Sequence, residues 1–351
     1  MAGSWWDAPQ LETYRYRLLT GDPNGPSEPH DHWYEYLLAR FPQVSQQKHG
    51  RWLSLCCGDG ELERYFASRG VFSSCVAADI SSEAIERAIS SAKQMGISSV
   101  EYHCLDLNQH EWEADTYDVV IAQGGVHHIS NLDHLFAQVQ KCLKPAGVFL
   151  MHEYVGASRL RFPSRQVEVI NALMHLIPAR YRVGNMPSAQ AGRDSASLPS
   201  LSKSPGVLRR SLLVLRERNL RRAMRAVESR AWDAAIRVVN FVKGVRYGRG
   251  PYARLFQPEE SAKSMHFDPS ESVRSAEILP SLRRYLDIIE VKGMGGTALW
   301  WLQDFDWCLN PLDPDLVRLL NMLIYVEETL ISIGDLQPDL IHLAARKRAG
   351  D

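Results

Sequence analysis

Short apolar runs alternate with amphipathic stretches between residues 51 and 155, and this alternation is the clearest pattern in the chain. Short apolar runs next to turn residues are typical of buried strands, whereas apolar residues at helical spacing indicate amphipathic helices. Glycines 70 and 96 mark helix ends, and Ser81 or Ser82 is an N-cap. We predict strands at 51–57, 74–80, 99–107, 117–125 and 148–156, and helices at 61–70, 82–96 and 132–147, the last ending in Lys-Pro-Ala-Gly.

Strands that alternate with helices at this spacing predict an α/β fold with a parallel, doubly wound, Rossmann-like sheet. Two later apolar runs, 286–294 and 339–346, are predicted strands that complete the same sheet to seven. Right-handed crossovers place the carboxyl ends of the parallel strands on one edge, and ligands of such sheets bind outside that edge. The sequence therefore predicts a site at the ends of the strands.

The remaining segments lack this alternation of strands and helices, which indicates that they are additions to the core. Residues 157–185, 297–309 and 315–333 are predicted helices. The expected organisation is an N-terminal helical lid at 1–50, a core at 51–156, a helical insertion at 157–280, and C-terminal strands and helices at 281–351 that complete the core. Within the insertion we expect a flexible Ser- and Pro-rich loop at 186–206 and basic helices at 207–247.

Charge and cysteine usage narrow the class of protein. The formal net charge is −1, the N-terminus has no secretory pattern, and no apolar run is long enough for a membrane span. The six cysteines include no CxxC pair, and the histidines show no metal-binding spacing. These features favour a cytoplasmic protein, and the sequence predicts no metal site.

One segment departs from that neutral balance. Residues 207–254 hold 13 Lys or Arg against 3 Asp or Glu. Such a run is either a solvated helical face packed on an acidic body, or a contact for an anionic membrane surface or a phosphate-bearing acceptor. Aromatic residues are not interleaved with the basic ones, which disfavours nucleic acid. Peripheral contact with a membrane is therefore an expectation for this segment.

The segment 52–62, WLSLCCGDGEL, has the strand, glycine turn and helix of a nucleotide-type site. A dinucleotide site requires GxGxxG, but residues 56, 58 and 61 are Cys, Gly and Glu. The missing glycines disfavour NAD, and Glu61 would repel a pyrophosphate. A ligand without phosphates that carries a cationic sulfonium tolerates the acidic residues better.

Two acidic residues end the next two strands. Asp79 can accept both ribose hydroxyls of an adenosine, and Asp106 can accept a hydrogen bond from the adenine amine between Leu105 and Leu107. Gln123 and Gly124 end the fourth strand, where the methionine part of the ligand would lie. The predicted cofactor-binding residues are Cys57, Gly58, Gly60, Asp79, Ile80, Asp106, Leu107 and Gln123.

These four strand ends resemble those of class I S-adenosylmethionine-dependent methyltransferases, and GGVHHI followed by LKPAGVFLMHEYVG is similar to the type 11/12 small-molecule branch. The resemblance implies S-adenosyl-L-methionine as cofactor and methyl transfer to a small-molecule or saccharide-type acceptor, with oxygen favoured as the methylated atom. The acid and first glycine of the family's DLGCGxG pattern fall on Ser54 and Cys56 here. This departure leaves a non-catalytic sensor or partner subunit as the alternative function.

Removal of a proton from a hydroxyl acceptor needs a base of near-neutral pKa. The candidate catalytic residues are His127 and His128 after the fourth strand, and His152 and Glu153 at the end of the fifth; each can instead be structural. Trp33, with His30 and His32, belongs either to a lid or to helix packing. Trp300 and Trp301 either line the acceptor pocket or belong to the core.

Overall fold

The computed structural model describes residues 9–22, 32–41, 50–177, 268–304 and 313–348. Contacts divide the chain into two compact units, one of 1–173, 256–304 and 309–351 and the other of 174–255 and 305–308. The sheet and the candidate site belong to the first unit. The predicted loop at 186–206, the basic helices at 207–247 and the whole segment 207–254 lie outside the described residues, so their roles and the domain boundaries stay predictions.

A seven-stranded sheet forms the centre of the first unit, as the sequence predicted. The strand order is β3-β2-β1-β4-β5-β7-β6. The first five strands pair in parallel, whereas β7 runs antiparallel to both of its neighbours. The strands are β1 (Arg51–Leu55), β2 (Ser74–Asp79), β3 (Val100–Cys104), β4 (Tyr117–Gln123), β5 (Leu143–Tyr154), β6 (Leu286–Gly293) and β7 (Leu340–Lys347).

Eight α-helices are described around this sheet. They are α1 (Pro9–Thr20), α2 (His32–Arg40), α3 (Glu61–Ser68), α4 (Ser82–Gln94), α5 (Leu132–Cys142), α6 (Ser164–Leu176), α7 (Ile278–Tyr285) and α8 (Pro314–Ser332). Ser81 caps α4 by accepting a hydrogen bond from the Ala84 N–H, as predicted. Short 3-10 turns follow β4 at Val126–His128 and precede α7 at Ser275–Glu277.

The central strands are apolar because both of their faces are covered. In β1 every residue from 52 to 55 is buried, and Trp52 contacts Phe66 of α3 with ring centroids 5.1 Å apart. Phe136 of α5 and Phe149 of β5 are fully buried in the core cluster. Strands of this kind read as nearly continuous apolar runs, which explains why the sequence located them.

Four elements differ from the sequence predictions. The sheet is mixed because β7 is antiparallel. Residues 143–147 belong to β5 and not to the preceding helix, since Pro145 cannot continue a helix and favours an extended Lys144. Helix α7 was not predicted, although Ile278 and Leu282 bury one of its faces. The predicted helix at 297–309 is a 3-10 turn at Trp300–Asp304, and residues 305–309 lie outside the described ones.

Among the described residues, no helix has both the length and the apolar composition needed to cross a membrane.

Candidate active site

A cavity of about 860 Å³ lies outside the carboxyl ends of β1, β2 and β4. The strand order reverses between β1 and β4, and this switch point is where open α/β sheets bind ligands. The cavity is bounded by the loops that follow β1 to β4 and by the segment that precedes α7. Predicted residues that line it are Cys57, Gly58, Asp79, Ile80, Asp106, Leu107, Gln123 and His128.

The glycine turn after β1 presents its backbone to the cavity. Gly58 has a φ of +53°, and a Cβ there would meet nothing within 4 Å, so the backbone faces open space. Gly60 has another role, because a Cβ there would lie 2.6 Å from the ring of Tyr102. Gly58 can therefore touch a ligand directly, whereas Gly60 permits the close packing of the turn against β3.

Cys56, which stands where the family has a glycine, is accommodated by a second glycine. Its φ of +55° is unusual for a side-chain-bearing residue. A Cβ at Gly125 would lie only 2.3 Å from the Cβ of Cys56, so this glycine provides the space that the thiol side chain needs. Burial raises the pKa of the Cys56 thiol, which keeps it protonated. The substitution thus leaves the turn intact.

Asp79 joins the glycine turn to the start of α4. Its Oδ2 accepts a hydrogen bond from the Gly58 N–H at 2.9 Å, and its Oδ1 accepts one from the Ser81 N–H at 2.9 Å. A carboxylate offers about four acceptor positions, so both oxygens keep capacity for the hydroxyls of a ribose. The two backbone bonds fix the carboxylate at the wall of the cavity.

Asp106 is fixed in a similar way after β3. Hydrogen bonds from the backbone N–H and the side chain of Asn108 hold its pKa below the ordinary value, so it is an ionised acceptor. Leu105 and Leu107 also line the cavity on either side of it in the chain. This combination of an acceptor and apolar neighbours suits a heteroaromatic ring with an exocyclic amine.

A further carboxylate, that of Glu63, lies close to the glycine turn and was not predicted from the sequence. Ser54, which stands where the family has an acid, donates a hydrogen bond to Oε1 of Glu63. Glu63 comes from the first turn of α3, is buried, and lines the cavity; its Oε2 has no partner in the described structure. The acid of the family pattern is thus replaced by one from the following helix.

We expect Glu63 to make the ligand-free protein less stable as the pH rises from about 5 to about 8. Burial raises the pKa of Glu63 from 4.5 to about 7, so between these values the folded protein holds a proton that the unfolded chain has released. The full effect is about 3 kcal/mol.

Urea unfolding should show that Glu63→Gln gains stability relative to the wild type between pH 5 and pH 8. The pKa of Asp339 is also about 7, but this residue is present in both proteins, so its contribution to the pH dependence cancels when their stabilities are compared. An equal difference at both pH values would contradict the assignment.

The predicted catalytic residues separate into two groups. Glu153 is buried, and its carboxylate accepts hydrogen bonds from the N–H groups of Gly125 and Val126 at 3.0 and 2.6 Å. Its Oε1 lies 2.6 Å from Nδ1 of His127. The adjacent His128 lines the cavity, and its ring centroid is 4.1 Å from that of His127. Burial alone lowers the pKa of His127, but the bond to Glu153 and the nearby acids outweigh it and raise the pKa above its ordinary value.

His152 does not join this group. Neighbouring residues of a strand point to opposite faces, so His152 faces away from Glu153. Its ring stacks on Trp33 of α2 at 5.5 Å, and burial lowers its pKa to about 3. His152 therefore packs against the N-terminal helix and does not line the cavity.

The structure also shows the positions of the aromatic residues that were candidates for a lid or for the lining of the acceptor pocket. Trp33 is buried against His152 and His342, so it belongs to helix packing and not to a lid. The side chain of His32 and all of His30 lie outside the described residues. Trp301 packs on Phe162 and does not line the cavity. Tyr34 of α2 lines the cavity with its hydroxyl 3.3 Å from Oε1 of Gln123.

Comparisons with known proteins agree with this geometry. A family profile described as a methyltransferase domain matches residues 30–191. The ubiquinone biosynthesis O-methyltransferase of Agrobacterium fabrum is 29% identical over 112 residues, which cover 32% of this chain and 44% of the relative. The chain thus spans less than half the length of that curated relative.

Solved structures match over more of the chain but with low identity. Phosphoethanolamine N-methyltransferase 2 of Haemonchus contortus, in complex with S-adenosyl-L-methionine, is 15% identical, covering 97% of this chain and 57% of its own, with a TM-score of 0.44. The [4+2]-cyclase SpnF is 13% identical, covering 99% and 98%, with a TM-score of 0.42.

Proposed function

We propose that the protein, whose residues 30–191 match a methyltransferase domain profile, is a class I S-adenosylmethionine-dependent methyltransferase of the type 11/12 kind that methylates an oxygen atom of a small-molecule or saccharide-type acceptor. The observation that carries the proposal is the cavity itself. Two strand-end carboxylates, Asp79 and Asp106, line it together with His128, whose ring lies beside that of His127.

The residues that line the cavity suit both substrates. Asp79 would hold the ribose hydroxyls, Asp106 the adenine amine, and the open backbone at Gly58 the middle of the cofactor. Glu63 also lines the cavity, and its carboxyl group would lie beside the amino-acid part of the cofactor. The cofactor's reactive end would then lie toward His128, which lines the same cavity, and the acceptor would bind there.

Bound S-adenosylmethionine supplies an activated methyl group whose transfer is an in-line displacement. The sulfur–carbon bond breaks, its electron pair stays on sulfur, and a new carbon–oxygen bond forms while the acceptor hydroxyl loses its proton. The protein contributes mainly the alignment of the two reactants. The histidine pair marks the point at which the proton leaves, since Glu153 holds His127 in one orientation and His128 faces the cavity.

The alternative of a non-catalytic sensor depends on Ser54 and Cys56 as signs of decay. Both departures are compensated in the fold: Glu63 provides a carboxylate beside Ser54, and Gly125 provides room for Cys56. The printed name of the Agrobacterium relative also supports oxygen as the methylated atom. These points favour an enzyme.

The direct test is release of S-adenosylhomocysteine when the protein is given isotopically labelled cofactor and a set of hydroxylated small molecules and saccharides. Mass spectrometry should find the label as an added methyl ether. Calorimetry with S-adenosylmethionine and with NAD should show binding of the first alone. Tight cofactor binding with no labelled product from any acceptor or metabolite extract would support the sensor instead.

We expect His127→Ala and His128→Ala each to lower turnover about a hundredfold, because loss of assisted proton removal costs at least this much. The affinity for S-adenosylmethionine should stay within about twofold. His103→Ala is the matched control, since His103 is exposed on β3 away from the cavity. If both variants retain wild-type turnover, the histidine pair has no part in the chemistry.

A further inference from the structure

The histidine pair meets a third side chain from a distant part of the sequence. Glu271 precedes α7, yet its Oε1 lies 3.7 Å from Nε2 of His127 and its Oε2 lies 3.8 Å from Nε2 of His128. One potential ligand atom from each of the three residues lies within 4.8 Å of the other two. We propose that these residues form a binding site for a divalent metal ion of the zinc type at the acceptor end of the cavity.

The separations suit ligands that surround a common centre. Donor atoms about 2.0–2.1 Å from a tetrahedral zinc ion are about 3.4 Å from one another. The distances from Glu271 to the two imidazoles, 3.7 and 3.8 Å, are slightly longer than this and exceed those of hydrogen bonds, so the carboxylate faces both rings without bonding to them directly. A small inward movement of side chains would complete the geometry.

The outer nitrogen of each histidine is already held by a hydrogen-bonding group. Nδ1 of His127 bonds to Glu153, which the backbone N–H groups of 125, 126 and 154 fix in place. Nδ1 of His128 lies 3.0 Å from Oγ of Ser270, whose hydroxyl in turn donates to Asp268 at 2.5 Å. Metal-binding histidines almost always donate their other N–H to such groups. Donation at Nδ1 leaves the lone pair at Nε2, the atom that faces Glu271.

The backbone connects the two segments that carry the ligands. The N–H of Val273 donates to the carbonyl oxygen of His127 at 3.0 Å. Ser272 adopts a φ of +50° and is fully buried, and its carbonyl oxygen accepts a hydrogen bond from the N–H of Arg159. This fixed backbone keeps Glu271 opposite the histidines, so the site is formed before any ion binds.

The ligand set selects the class of ion. Two imidazoles and one carboxylate suit Zn²⁺, Co²⁺ or Fe²⁺, whereas Mg²⁺ and Ca²⁺ prefer oxygen ligands alone. Three protein ligands leave a position for water or substrate, and His128, Asp268 and Ser270 place the site at the wall of the cavity. If the proposed function is correct, an ion here would lower the pKa of the acceptor hydroxyl, with the histidines serving as its ligands.

The test measures metal binding without cofactor or acceptor. Tag-free protein is stripped with a chelator and titrated with Zn²⁺ by calorimetry and with Co²⁺ by visible absorption. We expect one equivalent to bind with an absorption typical of four-coordinate Co²⁺, and Mg²⁺ not to compete. Glu271→Gln and His128→Ala should weaken Zn²⁺ binding about a hundredfold, and Ser270→Ala about tenfold. His103→Ala should bind as the wild type does.

Circular dichroism of the stripped variants checks that each remains folded. Absence of saturable Zn²⁺ binding, or binding that Glu271→Gln leaves unchanged, would overturn the site and leave an ion-pair network in its place. Because no methyl transfer is measured, failure of this proposal is distinct from failure of the proposed function.

Discussion

Replacement of Asp79 by alanine is expected to weaken the binding of S-adenosylmethionine about a thousandfold. Each hydrogen bond from a ribose hydroxyl to this carboxylate is worth about 1.5–3 kcal/mol, because the acceptor is charged. Two such bonds amount to about 3–6 kcal/mol, and every 1.4 kcal/mol is a tenfold change in affinity. Asp79 also holds the N–H of Gly58, so its loss loosens the backbone on which the cofactor rests. Calorimetric titration measures the effect directly.

Two further variants make this result specific to the site. Asp79→Asn keeps the size and one acceptor oxygen, so its loss of affinity should be about tenfold. Glu83→Ala removes an exposed acidic residue four positions further along the chain, in α4, and should bind the cofactor as the wild type does. Near-wild-type affinity in a folded Asp79→Ala protein would remove the basis of the cofactor site.

Asp79 could be found from the sequence because its position depends only on local pattern. A buried parallel strand reads as an apolar run, and the first polar residue after it lies at the ligand-binding edge. Asp106 also follows a strand end, although β3 is an edge strand whose residues are largely exposed. When the position of a residue depends on the end of a single strand, the sequence is sufficient to predict it.

Glu271 and Glu63 could not be found in this way. His128 and Ser270, which now lie within hydrogen-bond distance, are 142 residues apart in the chain, and no spacing rule connects them. Glu63 was hidden because the family pattern places its acid on β1, where this chain has Ser54. Only the packing of α3 against β1 shows that a carboxylate has been supplied from another element.

The separation of His152 from Glu153 could have been predicted from the sequence. His152 and Glu153 are neighbours on one strand, and strand geometry sends their side chains to opposite faces. Only one of them can therefore face the turn at Val126–His128. That residue is Glu153, whose carboxylate accepts a hydrogen bond from the Val126 N–H, whereas His152 stacks on Trp33.

Replacement of Glu153 by alanine should destabilise the protein by about 3–5 kcal/mol, as expected when one partner of a buried charged network is removed. Its carboxylate accepts hydrogen bonds from the N–H groups of Gly125, Val126 and Tyr154 and bonds to His127. Without it, these buried donors have no acceptor, and each unsatisfied group costs about 1–3 kcal/mol. Urea unfolding at pH 7 gives the change in the free energy of unfolding.

The same substitution separates a positioning role from a purely structural one. Glu153→Gln keeps an acceptor oxygen for the backbone, so it should recover much of the stability, yet its amide cannot replace the charge beside His127. Turnover of Glu153→Gln should therefore stay well below wild type while cofactor affinity is kept. Glu111→Ala, at an exposed residue paired with Lys141, should change neither quantity. Full turnover in a stable Glu153→Gln protein would show that this carboxylate serves the fold alone, since the orientation of His127 would then not depend on it.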